Sequence, residues 1–566
     1  MKCIMKKTKY FIIAAVAVFV TSCSKHFDIN DNPNDPLALS EDVLLPRIQK
    51  YLAYGLSMGS DTDENGVSKG GFGTNLSAYT HQMTHYGNAD QYGALPNDYF
   101  WDAGWSLLYR DVLTNTEFII NQGTENGNPR YVGIAKIIKA YAYSVLVDLF
   151  GEVPFSEANQ LTTNQIRYPK YDKGEDIYPQ LFTLLDEAIV NLQSTSAENE
   201  IVPGADDVIY GGNVTRWIKA ANSIKFKLLV QQRKVKDVSG EVNALISSGD
   251  LISSTAESFM VPFGINSATD DRNPAFSQYY ATQRTMSPSP WLYEIMKGYN
   301  NNILTGIEDP RIPYYFYNQM TEDDAPSDIV EYRDGGFVSI YFGSQGPNRS
   351  KNSQNVISLF GIYPVGGRYD TGAGGTASAS SGTGAAPYRM ITYADILFLQ
   401  AELAQEGLIS GNAGELLERA ISETSKMIDY VVANNQSSQS VPVLSGSDEE
   451  DDYISAVMAQ FTSASNDKKL EHIMTQKWLS SIGSWVDQYN DYRRTGYPVL
   501  FNPADFGGIV TPPAGGNGGD DIAPVRVVLN RPFPLSLPFI ADEINKNTNA
   551  PAQKGNLGTA KVFWMP

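Results

Sequence analysis

Apolar residues recur every three or four positions over several long blocks of the chain, and that period predicts amphipathic helices. Across residues 130–150 the positions Ile134, Ile138, Tyr141, Val145 and Leu149 step in this way. Ile177, Leu181, Leu185, Ala188 and Leu192 repeat the pattern and end near Ser194. Trp217, Ala221, Ile224 and Leu228 do so after Asn213, a residue type whose side-chain oxygen caps helix N-termini. Further on come Ala394, Leu397, Ala401 and Ala404, with Gly407 as the stop, then Leu417, Ile421, Thr424, Ile428 and Val431. A helix is predicted over 468–485, and another over 99–121 that folds back on 130–150 across a Gly/Asn turn. Antiparallel pairs of this length predict a mainly α fold. The expected form is a tetratricopeptide-like helix-pair scaffold (an α-α superhelix), although no clean repeat of about 34 residues can be read.

The period disappears over 239–387, which fills with Tyr, Asn, Gly, Pro and Ser and ends in a small-residue loop, 372–386. Short β-like pieces such as Val338–Phe342 interrupt it. After Thr495 the chain is again Gly/Pro-rich and irregular to Pro566. Long irregular segments inside a compact protein are usually functional or disordered, and the tyrosines here point to order and function. The expected organisation is one domain, 41–566. Its helical scaffold is 41–238 and 388–495, its irregular insertion 239–387 faces ligand or partner, and its C-terminal part 496–566 is irregular.

The first residues carry a different pattern. Lys2, Lys6, Lys7 and Lys9 precede the ten-residue apolar run Phe11–Val20. A helix needs about 20 apolar residues to span a bilayer, so the layout is that of a signal peptide, 1–22. Val20-Thr21-Ser22-Cys23 resembles the lipobox of bacterial lipoproteins, in which the signal is cut before the cysteine and that cysteine is acylated. The only other cysteine, Cys3, leaves with the signal, so Cys23 has no disulfide partner and is free for lipid. Several acyl chains make a stable anchor where one is marginal. The polar, turn-rich stretch 23–40, with Asn32-Pro33-Asn34, reads as a tether.

Charge narrows the partners. Among 566 residues, 43 Lys+Arg face 63 Asp+Glu, a formal net charge of −20. That balance argues against nucleic acid and against an anionic membrane surface, both of which reward clustered Lys/Arg. With 42% apolar and 19% charged residues the chain is an ordered globular protein. Tyrosine, at 33, outnumbers Phe at 24 and Trp at 7; its flat face and polar tip suit wet contact surfaces as well as cores.

Catalytic motifs fail one by one. Gly55-Leu56-Ser57-Met58-Gly59 matches the G-x-S-x-G elbow, but that elbow joins a strand to a helix and 48–54 looks helical. His81 and His85 would share a helix face, yet Gln82 stands where a zinc protease needs glutamate, and only His26 and His472 remain as further imidazoles. The reading is therefore two polar histidines in a loop or at a helix end. Asp61, Asp63 and Asn65 with Gly66 copy the opening of an EF-hand loop, but the closing acid falls on Phe72. Calcium at Asp61, Asp63 and Asn65 would need another loop topology. The run Asp448–Asp452 suits the start of a solvated helix. Carboxylate pairs for glycoside hydrolysis cannot be recognised by counting. No cofactor is implied, and nothing positive supports catalysis.

Three stretches point to a family. Val147-Asp148-Leu149-Phe150-Gly151-Glu152-Val153-Pro154-Phe155 resembles the "LFGDVPY"-type signature of the SusD/RagB family of outer-membrane nutrient-binding lipoproteins. Ile391–Glu402, with Tyr393-Ala394-Asp395, is similar to that family's later helix, and Asp491-Tyr492-Arg493-Arg494-Thr495-Gly496-Tyr497-Pro498 to its "D-x-R-R-T-G-x-P". The tether and Arg531-Pro532-Phe533-Pro534 fit as well, and the Gly-rich form resembles the second SusD-like subgroup. Read physically, these motifs are structural. Phe150-Gly151 ends a helix with a left-handed cap, and Asp491 with Arg493 or Arg494 forms a buried ion pair that locks a corner.

The resemblance implies a lipid-anchored, cell-surface protein of the outer membrane that is not an enzyme. It would act as a lid on a SusC-like TonB-dependent outer-membrane transporter, with an oligosaccharide or, alternatively, an oligopeptide held between lid and barrel. A surface glycoside hydrolase and a lid that touches only the barrel are the rival readings. Ligand aromatics are expected on loops, because Trp101, Trp105 and Trp217 recur at core spacing. The candidates are Tyr86 and Tyr92 before the 99–121 helix, and Tyr280 and Trp291 in the insertion.

Overall fold

The computed structural model of the chain describes residues 39–59, 70–85, 92, 99–195, 201–267, 271–281, 284–324, 331–344, 355–501 and 531–566. Cys23, Asp61, Asp63, Asn65 and Tyr86 lie outside the described residues, as do the signal segment and most of the tether.

Helices form where the period places them. Pro129–Phe150 starts with proline, whose missing N–H costs nothing at a first helical position, and it ends at Gly151, φ +85°. It makes the most extensive helix contact of the fold, with Gly174–Leu192. A Cβ on Gly133 would lie 2.9 Å from the Ala188 carbonyl oxygen, so the two helices meet this closely only because that position is glycine. Val214–Gln232 begins at Asn213, whose side chain accepts from the Arg216 N–H at 3.1 Å. Tyr393–Gln405 opens with a reciprocal cap between Thr392 and Asp395 and stops just before Gly407, φ +74°.

Successive helices stack. Thr114–Glu125 packs on Pro129–Phe150, that on Gly174–Leu192, and that on Val214–Gln232. Val214–Gln232 then packs on Tyr393–Gln405 across the long intervening segment, and Ala413–Asn434, Asp448–Ser463 and Asn466–Ser480 continue the array. The result is a tetratricopeptide-like helical scaffold.

Two helices differ from their expected spans. The helix predicted over 468–485 runs Asn466–Ser480 and breaks at Gly483 (φ +92°), and Val486–Thr495 is separate. The helix predicted over 99–121 comprises Tyr99–Ser106, a π-helical stretch Leu107–Leu113 and Thr114–Glu125.

The segment 239–387 is irregular but ordered where described. It opens with the helix Ser239–Ser248 and carries short antiparallel ladders. Phe337–Ser339 pairs with Tyr332–Asp334, and Phe259–Val261 with Tyr388–Ile391. Irregular backbone leaves carbonyls without ladder partners, and buried tyrosines serve many of them. The hydroxyls of Tyr109, Tyr210, Tyr314, Tyr317 and Tyr489 donate to the carbonyls of Pro154, Glu257, Pro442, Gly375 and Pro534, at 2.7–2.9 Å. Part of the tyrosine excess thus serves to satisfy backbone carbonyls.

The three signature stretches converge on one buried polar corner. Arg494 pairs with Glu402 at 2.8 Å and with Asp491 at 2.7 Å, and Arg233 reaches the same Glu402 at 2.6 Å. Lys477 closes on Asp491. Burial pushes the Asp491 carboxyl up, but Lys477 and Arg494 outweigh that and hold it below the usual carboxylate range. Arg493 has a different role from the expected ion pair: it donates to the carbonyls of Asp148 and Leu535 and lies over the Tyr489 ring at 4.0 Å. Asp148 in turn accepts from Tyr178 at 2.5 Å, Trp564 at 2.8 Å and Asn490 at 3.1 Å. Among the described residues no helix is long and apolar enough to cross a membrane.

Candidate functional site

The site is built on a tight turn. Gly70 and Gly71 pass so close to Gly59 and Gly55 that a Cβ on either would fall on a backbone carbonyl. This contact seats the helix Gly73–Tyr79 against the end of Glu41–Leu56. The turn that follows is clamped to the scaffold: Gln82 donates to the Trp478 carbonyl at 2.7 Å, the Trp478 indole to the Thr80 carbonyl at 3.0 Å, and Thr80 to Gln488 at 3.1 Å. The strand Met83–His85 then pairs antiparallel with Met286–Pro288, joining the N-terminal region to the insertion.

At this turn His81 takes φ +57°, uncommon for a non-glycine residue. Its ring stacks on Phe342 at 4.0 Å and shares a 2.6 Å hydrogen bond between Nε2 and the Tyr92 hydroxyl. Nδ1 is enclosed and has no hydrogen-bond partner among the described residues. Burial lowers its pKa to about 3, so the imidazole is neutral at physiological pH. Burial likewise lowers His85 to about 4. His81 is buried in the turn that follows the helix Gly73–Tyr79, a loop position at a helix end as read, while His85 is half-buried on the strand Met83–His85, so the two do not share a helix face.

Aromatic contacts spread from His81. Tyr92 meets Phe342 at 5.2 Å, Tyr79 at 5.7 Å and Phe533 at 5.4 Å. On the other side Phe501 lies 6.3 Å from His81 and 5.9 Å from Trp291. Trp291 sits in the short helix Pro290–Met296, capped by Ser289, and its indole N–H donates to the Val499 carbonyl at 3.1 Å. The structure therefore brings Tyr92 and Trp291 into one aromatic network.

Tyr280 is not part of it. In the π-helical stretch Ser277–Ala281 it stacks on Phe276 at 4.7 Å, donates to the Phe360 carbonyl at 2.7 Å and accepts from the Arg368 N–H. Both of its hydroxyl roles are filled and one ring face is covered by Phe276. Tyr92 and Trp291 are also buried, 5% and 7% exposed, so they present edges and not open platforms.

Beside Tyr92 a cleft of about 310 Å³ opens, lined also by Arg531, Pro532, Pro538, Lys554 and Asn556. Lys554 donates to the carbonyls of Phe150 and Leu537 and to Ser536, over the Phe539 ring, and burial pushes its pKa down to about 7. The cleft thus combines the Tyr92 ring, the amides of Gln553 and Asn556 and the Arg531 guanidinium, which suits a small polar ligand with apolar faces. His81, Phe342, Phe501 and Phe533 were not singled out from the sequence as ligand residues. Phe342 and Phe501 carry no local signal, and His81 and Phe533 stand out only as a possible metal pair and as part of a family stretch, because the network is assembled from segments far apart in the chain.

Residues 34–527 match the SusD-like family model described as starch-binding and associating with outer membrane. None of the curated proteins matches the chain. Among solved structures, the chain is similar to a chitin-binding protein at 19% identity and a TM-score of 0.62, with 93% of this chain and 100% of that one covered. A SusD homolog from Bacteroides uniformis matches at 21% and 0.61, covering 92% and 99%. A chitin-binding SusD homolog from Flavobacterium johnsoniae matches at 19% and 0.60, covering 92% and 97%.

Proposed function

We propose, from the premise that this chain belongs to the SusD-like family, that it captures an oligosaccharide at the outer membrane and passes it to a SusC-like TonB-dependent transporter. The observation that carries the reading is the family match over residues 34–527, whose description names both starch binding and outer-membrane association. The chitin-binding relatives of similar fold favour a carbohydrate over a peptide as the ligand. Cys23 supplies the lipid anchor, and the globule sits at the cell surface as a lid on the barrel. The protein binds and does not cleave.

Ligand contact is assigned to the edge of the aromatic network, at Tyr92 and Trp291, together with Tyr86, which follows His85 directly. Aromatic contacts contribute about 0.5–1.5 kcal/mol each beyond their area, while association costs several kcal/mol. The isolated protein therefore binds weakly, and the barrel closes the other side of the ligand. Calcium at Asp61, Asp63 and Asn65 is not needed for this reading.

The test is extraction in mild detergent followed by pull-down. A TonB-dependent transporter recovered in equal amount supports the lid. Recovery of the protein alone overturns it.

A further inference from the structure

Apart from Tyr92 itself, the residues lining the cleft beside it all come from 531–558. Two strips of that wall are tied together. Leu535 N–H donates to the Leu557 carbonyl at 2.8 Å, and the Gln553 amide bonds both backbone groups of Phe539. The wall is also tied to the scaffold. Leu537 N–H donates to the Leu149 carbonyl at 2.7 Å, and Arg493 to the Leu535 carbonyl at 2.8 Å.

Lys554 joins all of these pieces. Its Nζ lies 2.6 Å from the Phe150 carbonyl, 2.7 Å from the Leu537 carbonyl and 2.9 Å from the Ser536 hydroxyl. Carbonyls only accept, whereas a hydroxyl accepts or donates. A neutral amine fits this set completely, with two N–H groups on the carbonyls and its lone pair on the Ser536 proton. An ammonium also finds three acceptors, but it brings a charge into an enclosed place, where charges are normally paired.

Among the described residues no carboxylate pairs with Lys554 at ion-pair distance. The charged groups on the elements around it are Arg493 and Asp148 on the scaffold, Glu152 on the strand Glu152–Pro154, and Arg531, which lines the same cleft. Glu543 lies beyond, acting on Tyr171, whose ring meets Phe539 at 5.7 Å. Burial, then Arg493, disfavours the ammonium and outweighs Glu152, so the pKa falls to about 7. The Phe539 ring, 4.5 Å from Nζ, favours a cation but supplies no counter-charge.

Release of the wall from the helix end would return the amine to water and to its ordinary pKa of 10.5. Opening therefore takes up a proton between about pH 7 and 10.5, and becomes easier as pH falls through that window. Below pH 7 both forms are protonated and pH has no further effect.

We propose that Lys554 is a pH-sensitive latch on the wall of the cleft: the neutral amine holds the wall closed on the helix end, and protonation favours its release. The use of the cleft for ligand rests on the function proposed above, but the latch does not.

The test is hydrogen–deuterium exchange of the full chain at pH 6, 7, 8 and 9, corrected for intrinsic exchange rates. Protection over 533–539 should rise roughly 50-fold from pH 7 to 9, and change by only about twofold between 6 and 7. Lys554→Met keeps the apolar stem but takes up no proton, so its protection should be even across the range. Glu152→Gln removes the acid that favours the ammonium, and should extend the rise below pH 7. No rise in the wild type overturns the latch, and so does the same rise in Lys554→Met. Should Lys554→Met fail to fold, Glu152→Gln decides, and a profile identical to the wild type overturns the latch. Titration with chitohexaose at pH 7 and 9 links latch to site: tighter binding at pH 9, in the wild type but not in Lys554→Met, supports the link. Protection that follows pH with binding that does not overturns control of the cleft and leaves the proposed function standing. Binding at neither pH overturns the carbohydrate reading, while the exchange profile still decides the latch.

Discussion

The polar corner and the aromatic network are both buried, and both tie the scaffold to irregular chain, yet they use opposite chemistry. At the corner Arg494, Arg233, Glu402, Asp491 and Lys477 neutralise one another at ion-pair distance. At the network His81 is kept neutral, and the contacts are rings 4–6 Å apart. Removing one partner of a buried ion network strands a charge, so the corner is specified tightly and admits little variation. Aromatic edges tolerate rearrangement and can accept a ligand ring or sugar face. The corner fixes the fold; the network is the region to which the proposed function assigns ligand contact.

The largest expected effect breaks the corner. Glu402→Ala leaves Arg494 and Arg233 facing each other without their shared acid, and should lower stability by about 3–5 kcal/mol in urea unfolding. Ligand affinity of the folded fraction should be unchanged. A stability loss no larger than that of an exposed substitution would remove the distinction between the two regions.

Mild acid, above the ordinary carboxylate range at which the corner's Asp491 begins to matter, should act on the network first. Because burial holds His81 near 3, the unfolded chain takes up a proton as pH falls through 6.5 while the native state does not. The stability contributed by neutral His81 is full above pH 6.5 and is lost progressively toward pH 3. At pH 5 the loss is about 2 kcal/mol. His81→Phe should flatten this part of the pH profile of thermal unfolding; an unchanged profile contradicts the assignment. Asp148, pushed up to about 6 by burial, works with the opposite sign between about pH 4 and 6 and is present in both proteins.

A smaller effect is expected for Tyr92→Phe. It removes the hydroxyl bonded to His81 and should cost about 1 kcal/mol of stability, with weaker oligosaccharide binding in a titration. Loss of stability with binding intact would move the ligand away from Tyr92. The smallest effect on folding is that of Cys23→Ala. Its melting temperature should equal that of the parent globule, while cell fractionation should find it no longer in the outer membrane.

The same contrast explains what the sequence makes legible. Asn213, Gly151 and Gly407 mark helix ends by local chemistry, and all three act as read. Asp491 and Arg494 sit one helical turn apart, so their pairing needs no knowledge of the rest of the chain. The link from Arg494 to Glu402 and Arg233 is long-range and was not visible. The aromatic network is long-range throughout: Tyr92 meets Phe342 and Phe533, and Trp291 meets Phe501. Tyr280 looks available in the sequence because it lies in a polar stretch. Its hydroxyl is in fact occupied by the irregular backbone around it. Helix boundaries failed at Gly483, where a break falls inside a continuous polar and apolar alternation.

The central claim, that this chain binds a carbohydrate and leaves it intact, is tested most directly by calorimetric titration of the full chain with starch- and chitin-derived oligosaccharides, followed by chromatography of the recovered sugars. The account predicts saturable binding with a Kd between micromolar and millimolar, about −8 to −4 kcal/mol, and sugars recovered at their original length. No binding to any of these oligosaccharides, or shortened products, would contradict it.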